Sequence, residues 1–260
     1  MPISIITATY NSGGTIRDTL KSMLRQTYKD IEYIIVDGGS QDSTLDIIRE
    51  YEPRFEGRMR WISEPDGGIY DAMNKGIRMA TGEVIGILNS DDFYASPDVL
   101  ERVTQSFAED DSLDAVYGDV RYVDAVDTNR VIRYYSSRIV RPWLMRFGFM
   151  PAHPSFYCRR EVYERYGLYD TSYRIAADFE LLLRMIHVRR IKTRYLPFDF
   201  VTMRMGGASS SGLSSYLVSH REHMRAYREN GVYSNVCFDC LRYGYKVGEL
   251  AYAKLRRPKL

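Results

Sequence analysis

The residues best suited to chemistry are two adjacent aspartates, Asp91 and Asp92, which follow a short apolar run at residues 84–88. Two neighbouring carboxylates repel each other unless a cation or strong hydrogen-bond donors lie between them. A divalent metal ion that carries phosphate would satisfy them, since hard cations prefer oxygen ligands. The pair could instead cap the helix expected to begin near Pro97, because aspartates after strands often serve in turns and caps. From these residues alone both interpretations stay open.

The apolar run before the aspartates predicts a buried strand in a mostly parallel sheet. Its C-terminal end is the edge at which open α/β sheets bind ligands. Three earlier strands, beginning near Ile3, Ile31 and Met59, are each followed by a pattern typical of a helix. This alternation predicts a Rossmann-like α/β fold whose mostly parallel central sheet is flanked by helices.

The loops after the first two strands carry Tyr10 and Asp37 to the same edge of the sheet as the aspartate pair. An aromatic face can stack on a nucleotide base, and a carboxylate can accept a hydrogen bond from a ring N–H. No GxGxxG follows the first strand and no GxxxxGK[ST] occurs. The sequence therefore predicts neither a dinucleotide-binding fold nor a phosphate-loop NTPase.

The composition limits the class of protein. Among 260 residues, 36 Lys and Arg nearly balance 34 Asp and Glu, which argues against a nucleic-acid partner bound through overall charge. Three cysteines do not form a disulfide framework. The N-terminus lacks a signal-peptide pattern, and no apolar run reaches the ~18 residues of a membrane span. We expect a cytoplasmic protein.

Five segments occur in order along the chain, at residues 3–11, 34–40, 66–76, 82–83 and 88–92. Together they resemble the family 2 inverting glycosyltransferases with the GT-A fold. Within that family they are most similar to bacterial enzymes that build exopolysaccharide or lipopolysaccharide, including the colanic-acid type. The resemblance implies a GT-A domain at 1–210, with a nucleotide-sugar half at 1–120 and an acceptor half at 121–210, then a helical C-terminal extension at 211–260.

The resemblance also implies roles for particular residues. Ala8 and Tyr10 would line the nucleotide base, and Asp37 would accept a hydrogen bond from it. The aspartate pair matches the end of the family's DxD element, which implies a divalent metal, Mn²⁺ or Mg²⁺, at Asp91 and Asp92. Asn89, a neutral and weaker oxygen ligand, stands at the first position of that element. Contacts with the donor sugar or its phosphates are implied for Asp71, Asn74 and Lys75.

Asp178 begins a predicted helix, where an aspartate commonly acts as an N-cap. In the family this position is the general base that deprotonates the acceptor hydroxyl, and nearby Glu180 is the second candidate. The implied reaction moves a sugar from a nucleotide-diphosphate sugar to a saccharide acceptor, linked to polyprenyl diphosphate. Two alternatives remain, a nucleotidyltransferase and a sugar-nucleotide-binding module without catalysis.

Two segments combine basic and aromatic residues. Residues 138–154 interleave arginines with Trp143 and two phenylalanines, and their prolines and glycine predict a loop over the site. Residues 246–259 form a basic amphipathic end. The first segment could bind an anionic lipid-linked acceptor or meet a membrane surface, or be a partly buried loop with solvated arginines. The second could lie on an anionic membrane surface or be a solvated C-terminal helix. Residues 206–209 resemble a flexible loop of the family. His220 and His223 lie on one predicted helix, where no acidic partner is in register for a metal.

Overall fold

The computed structural model describes residues 1–206 and 213–241, except for the side chains of residues 213 and 214. Helices flank one sheet. The strands are Ile3–Thr9 (β1), Ile31–Asp37 (β2), Met59–Ser63 (β3), Val84–Ile87 (β4), Phe93–Tyr94 (β5), Ala115–Val123 (β6), Val131–Tyr135 (β7), Phe156–Arg159 (β8) and Thr193–Arg204 (β9).

The helices follow the predicted alternation through the first half of the chain. Residues 236–241 are also helical. The α-helices are Ile16–Leu24 (α1), Thr44–Tyr51 (α2), Ile69–Met79 (α3), Val99–Glu109 (α4), Arg160–Tyr166 (α5), Ala177–Leu182 (α6) and Leu213–Glu229 (α7). Glu52–Phe55, Pro142–Phe147 and His153–Ser155 are 3-10 helices, and Leu183–Val188 is a π-helix that continues α6.

The strand order is β3-β2-β1-β4-β8-β6-β9-β5, and β7 pairs with β6. Strands β3, β2, β1 and β4 are all parallel, as the first half of the sequence predicts. Beyond β4 the sheet is mixed, because β8 runs antiparallel to both β4 and β6 while β9 runs parallel to β6. The predicted α/β fold is confirmed, and every antiparallel pair includes β7, β8 or β9.

Both faces of the sheet are covered, so its strands are apolar on both sides. In β2, Tyr33 and Ile35 face a cluster that contains the buried sides of α1, α2 and α4. Ile34 and Val36 face the opposite cluster, to which α3, α5 and α6 contribute. All seven residues of β1 are buried. The central strands are therefore rigid supports for the loops at their C-terminal ends.

Close packing reaches the backbone of the central strand at Gly86. A Cβ added there would lie 2.3 Å from Cε1 of Tyr157, a distance that no real contact shows. The hydroxyl of Tyr157 in turn donates a hydrogen bond to that of Tyr94, at 2.9 Å. Strand β4 and the segment just after Asp92 are thus joined through one buried tyrosine pair.

Some predicted elements differ from the structure or lie outside it. The segment 138–154, predicted as a loop, contains two short 3-10 helices. Residues 207–209 and 246–259 lie outside the described ranges. Within residues 1–206 and 213–241, no helix has both the length and the apolar composition that crossing a bilayer requires.

Candidate active site

A cavity of about 600 Å³ opens at the C-terminal ends of β1 and β4. It brings together five predicted site residues that are distant in sequence. The end of β1 and the loop after it contribute one residue each, the loop after β4 contributes two, and α6 contributes the fifth. These five are Ala8, Tyr10, Asp91, Asp92 and Asp178.

Acidic groups dominate this cavity. Of its two arginines, Arg204 is already paired with Asp18, outside the cavity. The remaining charge is therefore negative, which suits a bound cation. The charged lining residues other than histidine are Asp66, Asp91, Asp92, Asp178, Arg174 and Arg204.

The aspartate pair is partly removed from water. Asp92 is buried and Asp91 half-buried. Burial raises the pKa of Asp91, and burial together with the charge of Asp91 raises the pKa of Asp92 well above its usual range. The helix-cap alternative does not hold, because α4 begins at Val99 and its N-cap residue is Asp98. Two adjacent carboxylates, one buried and one half-buried, that cap no helix are typical of a cation site.

Two buried oxygen atoms of residues that line the same cavity strengthen this interpretation. The side-chain oxygens Thr9 Oγ1 and Asn89 Oδ1 have no hydrogen-bond partner within the described part of the chain. The amide Nδ2 of Asn89 donates to Asp92 Oδ2 at 3.4 Å, which leaves Oδ1 as the open acceptor. A buried acceptor without a partner is costly, so a cation or a donor group of a ligand fits here. In the described ranges no cluster of three or more His, Cys, Asp or Glu side chains could hold a metal by itself.

Arg204, at the end of β9, supports the loop that carries the pair. Its Nε donates to the backbone oxygen of Asp91 at 3.1 Å. Its guanidinium also lies over the ring of Phe93, 5.5 Å from the centroid. Nothing in the sequence analysis singled out this arginine, because its partners come from the loop after β4 and from α1.

Asp178 lies near the start of α6, with its carboxylate on the cavity side. Its Oδ1 accepts a hydrogen bond from the backbone N–H of Phe179 at 2.8 Å and from the hydroxyl of Tyr70 at 3.4 Å. Glu180 faces away, since both its oxygens bind Arg184, each at 2.9 Å. Of the two predicted bases, Asp178 is therefore the one with access to a substrate.

An aromatic group surrounds this aspartate. Tyr70 stacks on Tyr169, with centroids 5.7 Å apart, and the hydroxyl of Tyr169 is hydrogen-bonded to Nε2 of His153 at 2.6 Å. Burial lowers the pKa of His153, so the ring is kept neutral. Tyr70 and His153 both line the cavity.

Asp37, expected to bind the base, is fully buried and lies outside the cavity lining. Its carboxylate accepts hydrogen bonds from the backbone N–H groups of Gly39 and Ser40, at 3.0 and 2.9 Å, and from the hydroxyls of Ser40 and Ser63. Ser40 Oγ in turn accepts from the N–H of Asn11 at 2.7 Å. In this structure Asp37 fixes the loop beside Tyr10.

The three residues expected at the donor sugar or phosphates also lie outside the lining. Asn74 uses its amide on the backbone of Tyr169, donating at 2.8 Å and accepting at 3.0 Å. Lys75 pairs with Glu64 at 2.8 Å and donates to the backbone oxygen of Pro65. Asp71 accepts from the N–H of Gly67 at 3.0 Å. The contacts of Lys75 and Asp71 hold the loop that carries Asp66, which does line the cavity.

The basic and aromatic segment meets the cavity only through His153 and Pro154. Arg146 instead lies over the rings of Tyr233 and Phe238, 5.4 and 5.6 Å from their centroids. The acidic partner of the two histidines in α7 is not apparent from the sequence. Asp239, fully buried, is hydrogen-bonded to Nδ1 of both His220 and His223, at 2.9 and 3.0 Å.

Comparison with known proteins identifies the family. Residues 4–167 match the sequence model described as Glycosyl transferase family 2. A PGL/p-HBAD biosynthesis glycosyltransferase of Mycobacterium tuberculosis is 34% identical over 200 residues, which cover 74% of this chain and 73% of that protein. An uncharacterized glycosyltransferase of Nostoc sp. is 29% identical over 276 aligned positions, covering 100% of this chain and 82% of that protein. The chain belongs to glycosyl transferase family 2.

Solved structures show the same fold at low sequence identity. TarS 1-349 of S. aureus in complex with UDP-GlcNAc superposes with a TM-score of 0.68 at 21% identity; the match covers 87% of this chain but slightly less than two thirds of that one, 66%. The mannosyltransferase PcManGT of Pyrobaculum calidifontis, in complex with GDP-Man and Mn²⁺, gives 0.66 at 17% identity over 99% of this chain and 76% of that one.

These comparisons confirm the predicted GT-A fold and the predicted class of enzyme, a glycosyltransferase. They favour this class over a nucleotidyltransferase or a binding module. The expected likeness to the colanic-acid type, the two-part domain division and the role of each site residue stay predictions.

Proposed function

We propose that this protein transfers a sugar from a nucleotide-diphosphate sugar to a hydroxyl of a saccharide acceptor, with inversion at the anomeric carbon. The observation that carries the proposal is the shared cavity, which is lined by the Asp91 and Asp92 pair and by Asp178. A single displacement needs a cation site for the departing diphosphate and a base for the attacking hydroxyl.

The donor site is assigned to the β1 and β4 side of the cavity. Ala8 and Tyr10 line it, and the exposed ring of Tyr10 offers a face for a nucleotide base. Relatives of the same fold were solved with UDP-GlcNAc and with GDP-Man. A nucleotide sugar is therefore the proposed donor, and the base and sugar are to be found by experiment.

A divalent cation, Mn²⁺ or Mg²⁺, fits the residues present. Asp91 and Asp92 would hold it, with Asn89 Oδ1 as a neutral oxygen ligand beside them. When bound, the cation would neutralise charge on the departing nucleotide diphosphate. The chain's own part is to keep these oxygens in place, through Arg204 on the backbone of Asp91 and Asn89 on the side chain of Asp92.

Asp178 is the proposed general base. Its Oδ1 is held by the N–H of Phe179, which leaves the carboxylate oriented toward the cavity and able to accept a proton. As the acceptor oxygen bonds to the anomeric carbon, its proton passes to Asp178 and the bond to the diphosphate oxygen breaks. No covalent intermediate with a carboxylate is needed, because one displacement inverts the centre.

The acceptor is proposed to be a saccharide carried on polyprenyl diphosphate at a membrane surface. Arg174 is the remaining arginine of the lining, beside Asp178, and it is exposed. Arg141 and Trp143 are exposed and belong to the same segment of the chain as His153. They offer a cationic and an aromatic contact. These groups suit an anionic, lipid-linked substrate.

The test is release of nucleotide from a panel of UDP-, GDP- and dTDP-sugars, with Mn²⁺, Mg²⁺ or EDTA. The native chain should release one nucleotide, only with a divalent cation, and Asp92→Ala should not. Asp98→Ala, which removes the N-cap carboxyl of α4 outside the cavity, is the matched control and should keep turnover. Turnover in EDTA, or in Asp92→Ala at the native rate, would contradict the proposed cation site.

A further inference from the structure

The three residues before α6 are held by a carboxylate from a distant helix. Glu222, in α7, accepts hydrogen bonds from three successive backbone N–H groups: those of Arg174 at 2.7 Å, Ile175 at 2.9 Å and Ala176 at 2.8 Å. Oε1 accepts the first bond and Oε2 accepts the other two. Hydrogen bonds to an ionised carboxylate are stronger than those between neutral groups, so this contact fixes the segment firmly.

The same segment is held from its other side. The hydroxyl of Tyr70, in α3, donates to the backbone oxygen of Ile175. The N–H of Ile175 bonds to Glu222, so both polar atoms of this residue's backbone are anchored by different helices. Asp178 follows only two residues after Ala176, and Tyr70 also reaches its Oδ1.

We propose that Glu222 is a positioning residue for Asp178. It does not line the cavity, so it acts on the reaction only through the backbone that it holds. With these bonds broken, residues 174–176 would lose one of two anchors, and the carboxylate of Asp178 would no longer be held at one distance from the acceptor hydroxyl. The inference rests on the proposed function of Asp178 as base.

This role predicts a particular kinetic signature. A displacement of about 1 Å in a catalytic group can lower turnover by about 100-fold. Donor binding uses the opposite side of the cavity and should be preserved. Loss of Glu222 should therefore lower kcat strongly while the dissociation constant of the donor changes little.

The experiment compares Glu222→Ala and Glu222→Gln with Glu229→Gln. Glu229 lies in the same helix and ties it to the same loop, by accepting from the hydroxyl of Tyr173 at 2.6 Å and from Arg225. Its replacement loosens that loop but leaves the N–H groups of 174–176 bonded to Glu222. Nucleotide release is measured with the donor found in the panel, and donor affinity by titration calorimetry with Mn²⁺.

We expect kcat to fall by about 30-fold to 100-fold in Glu222→Ala, in line with the cost of misplacing a catalytic group. The kcat of Glu222→Gln should lie between those of Glu222→Ala and the native chain. The carboxamide oxygen of Gln still accepts a hydrogen bond, whereas its NH2 group is a donor and would face a backbone N–H, which is also a donor. The donor dissociation constant should stay within about threefold, and Glu229→Gln should stay close to native.

An equal loss of kcat in Glu229→Gln and Glu222→Gln would overturn the proposal, since any loosening of the loop would then suffice. A raised donor dissociation constant with unchanged kcat would overturn it as well. If Glu222→Ala does not fold, Glu222→Gln decides. Asp178→Asn is measured in parallel: if it keeps native turnover, the proposed base itself is wrong, whereas its inactivity with a normal Glu222→Gln overturns the positioning role alone.

Discussion

At the scale of single residues, the site depends on carboxylates whose burial destabilises the folded protein unless a ligand is bound. Asp92 is buried, and its nearest charged neighbour in the chain has the same sign. Residues that favour function at the expense of stability are common in active sites. Asp178 differs, because it is half-buried and accepts a hydrogen bond from a backbone N–H.

Replacement of Asp92 by asparagine should stabilise the metal-free protein while abolishing turnover. The pKa of Asp92 is raised in the folded state, so its protonated form is favoured there and its contribution to stability is lost as pH rises through that pKa. At pH 8 in EDTA, Asp92→Asn should unfold about 2–4 °C higher than the native chain, equivalent to about 1 kcal/mol. Calorimetric unfolding at several pH values measures this.

Two controls accompany that measurement. The advantage of Asp92→Asn should shrink as pH falls, because the native carboxyl becomes protonated. Added Mn²⁺ should raise the unfolding temperature of the native chain and not that of the variant. A variant that is less stable than the native chain at pH 8 in EDTA would contradict the view that the buried charge is uncompensated.

Asn89→Asp should increase affinity for Mn²⁺ and weaken the metal-free fold. The substitution replaces a neutral oxygen with a charged one and removes the amide that donates to Asp92. Since ligand charge tunes affinity for hard cations, we expect Mn²⁺ to bind about tenfold more tightly. The electron paramagnetic resonance signal of free Mn²⁺ measures this, and unchanged affinity would show that Asn89 does not face the cation.

At the scale of elements, each functional loop follows a buried strand, and side-chain contacts made far along the chain set its shape. Asp37 orders the loop after β2, Arg204 supports the loop after β4, and Glu222 anchors the segment before α6. Strand β4 also requires a residue without a side chain at Gly86, because the ring of Tyr157 packs against its backbone.

Gly86→Ala should destabilise the protein and disturb the aspartate loop. The added methyl group would meet the ring of Tyr157 at 2.3 Å and push on its bond with Tyr94. Overpacking of this kind costs about 1–3 kcal/mol. Gly14→Ala is the matched control, since nothing lies within 4 Å of an added Cβ there. Equal denaturation midpoints in urea for the two variants would refute this account of the packing.

At the scale of the whole molecule, the sequence predicted those features that a local pattern of residues determines directly. The apolar runs of β1, β2 and β4 predict buried strands, and the order of strands and helices predicts which loops share an edge. The family resemblance added Asp178, which no local pattern could connect with Asp92. Asp92 and Asp178 line the same cavity because the chain returns to the central sheet, where β8 pairs with β4 before α6 begins.

The remainder depended on contacts that the sequence does not reveal. Asn74 bonds to the backbone of Tyr169, 95 residues away, so its polar type alone could not show which way it faces. Asp239 bonds to two histidines of α7 but lies outside that helix. The spacing of residues along one helix could therefore not identify it as their partner. The role of Asp37 at the base stays a prediction, and the sequence could not show that the loop after β2 also bonds to its carboxylate.

The proposed membrane contact makes a prediction for the whole molecule. The side chains of Trp143 and Arg141 are exposed, and an aromatic beside a cation favours anionic bilayers. Sedimentation with phosphatidylglycerol vesicles should therefore be weaker for the double substitution Trp143→Ala and Arg141→Ala than for the native chain. Substitution of Arg54 and Tyr134, both outside this segment, serves as control. Native-like sedimentation of the first variant would exclude this surface.

The measurement that tests the central claim most directly is sugar transfer by Asp178→Asn and by Glu180→Gln, using the donor found in the panel and a saccharide acceptor. Glu180 is the matched control, because it lies two residues away and pairs with Arg184 outside the cavity. Our account predicts a loss of about 1,000-fold or more in kcat for Asp178→Asn, with donor binding kept, since general-base catalysis contributes about 10²–10⁴-fold. Glu180→Gln should lose thermal stability and retain transfer. Transfer that survives in Asp178→Asn and disappears in Glu180→Gln would contradict the account.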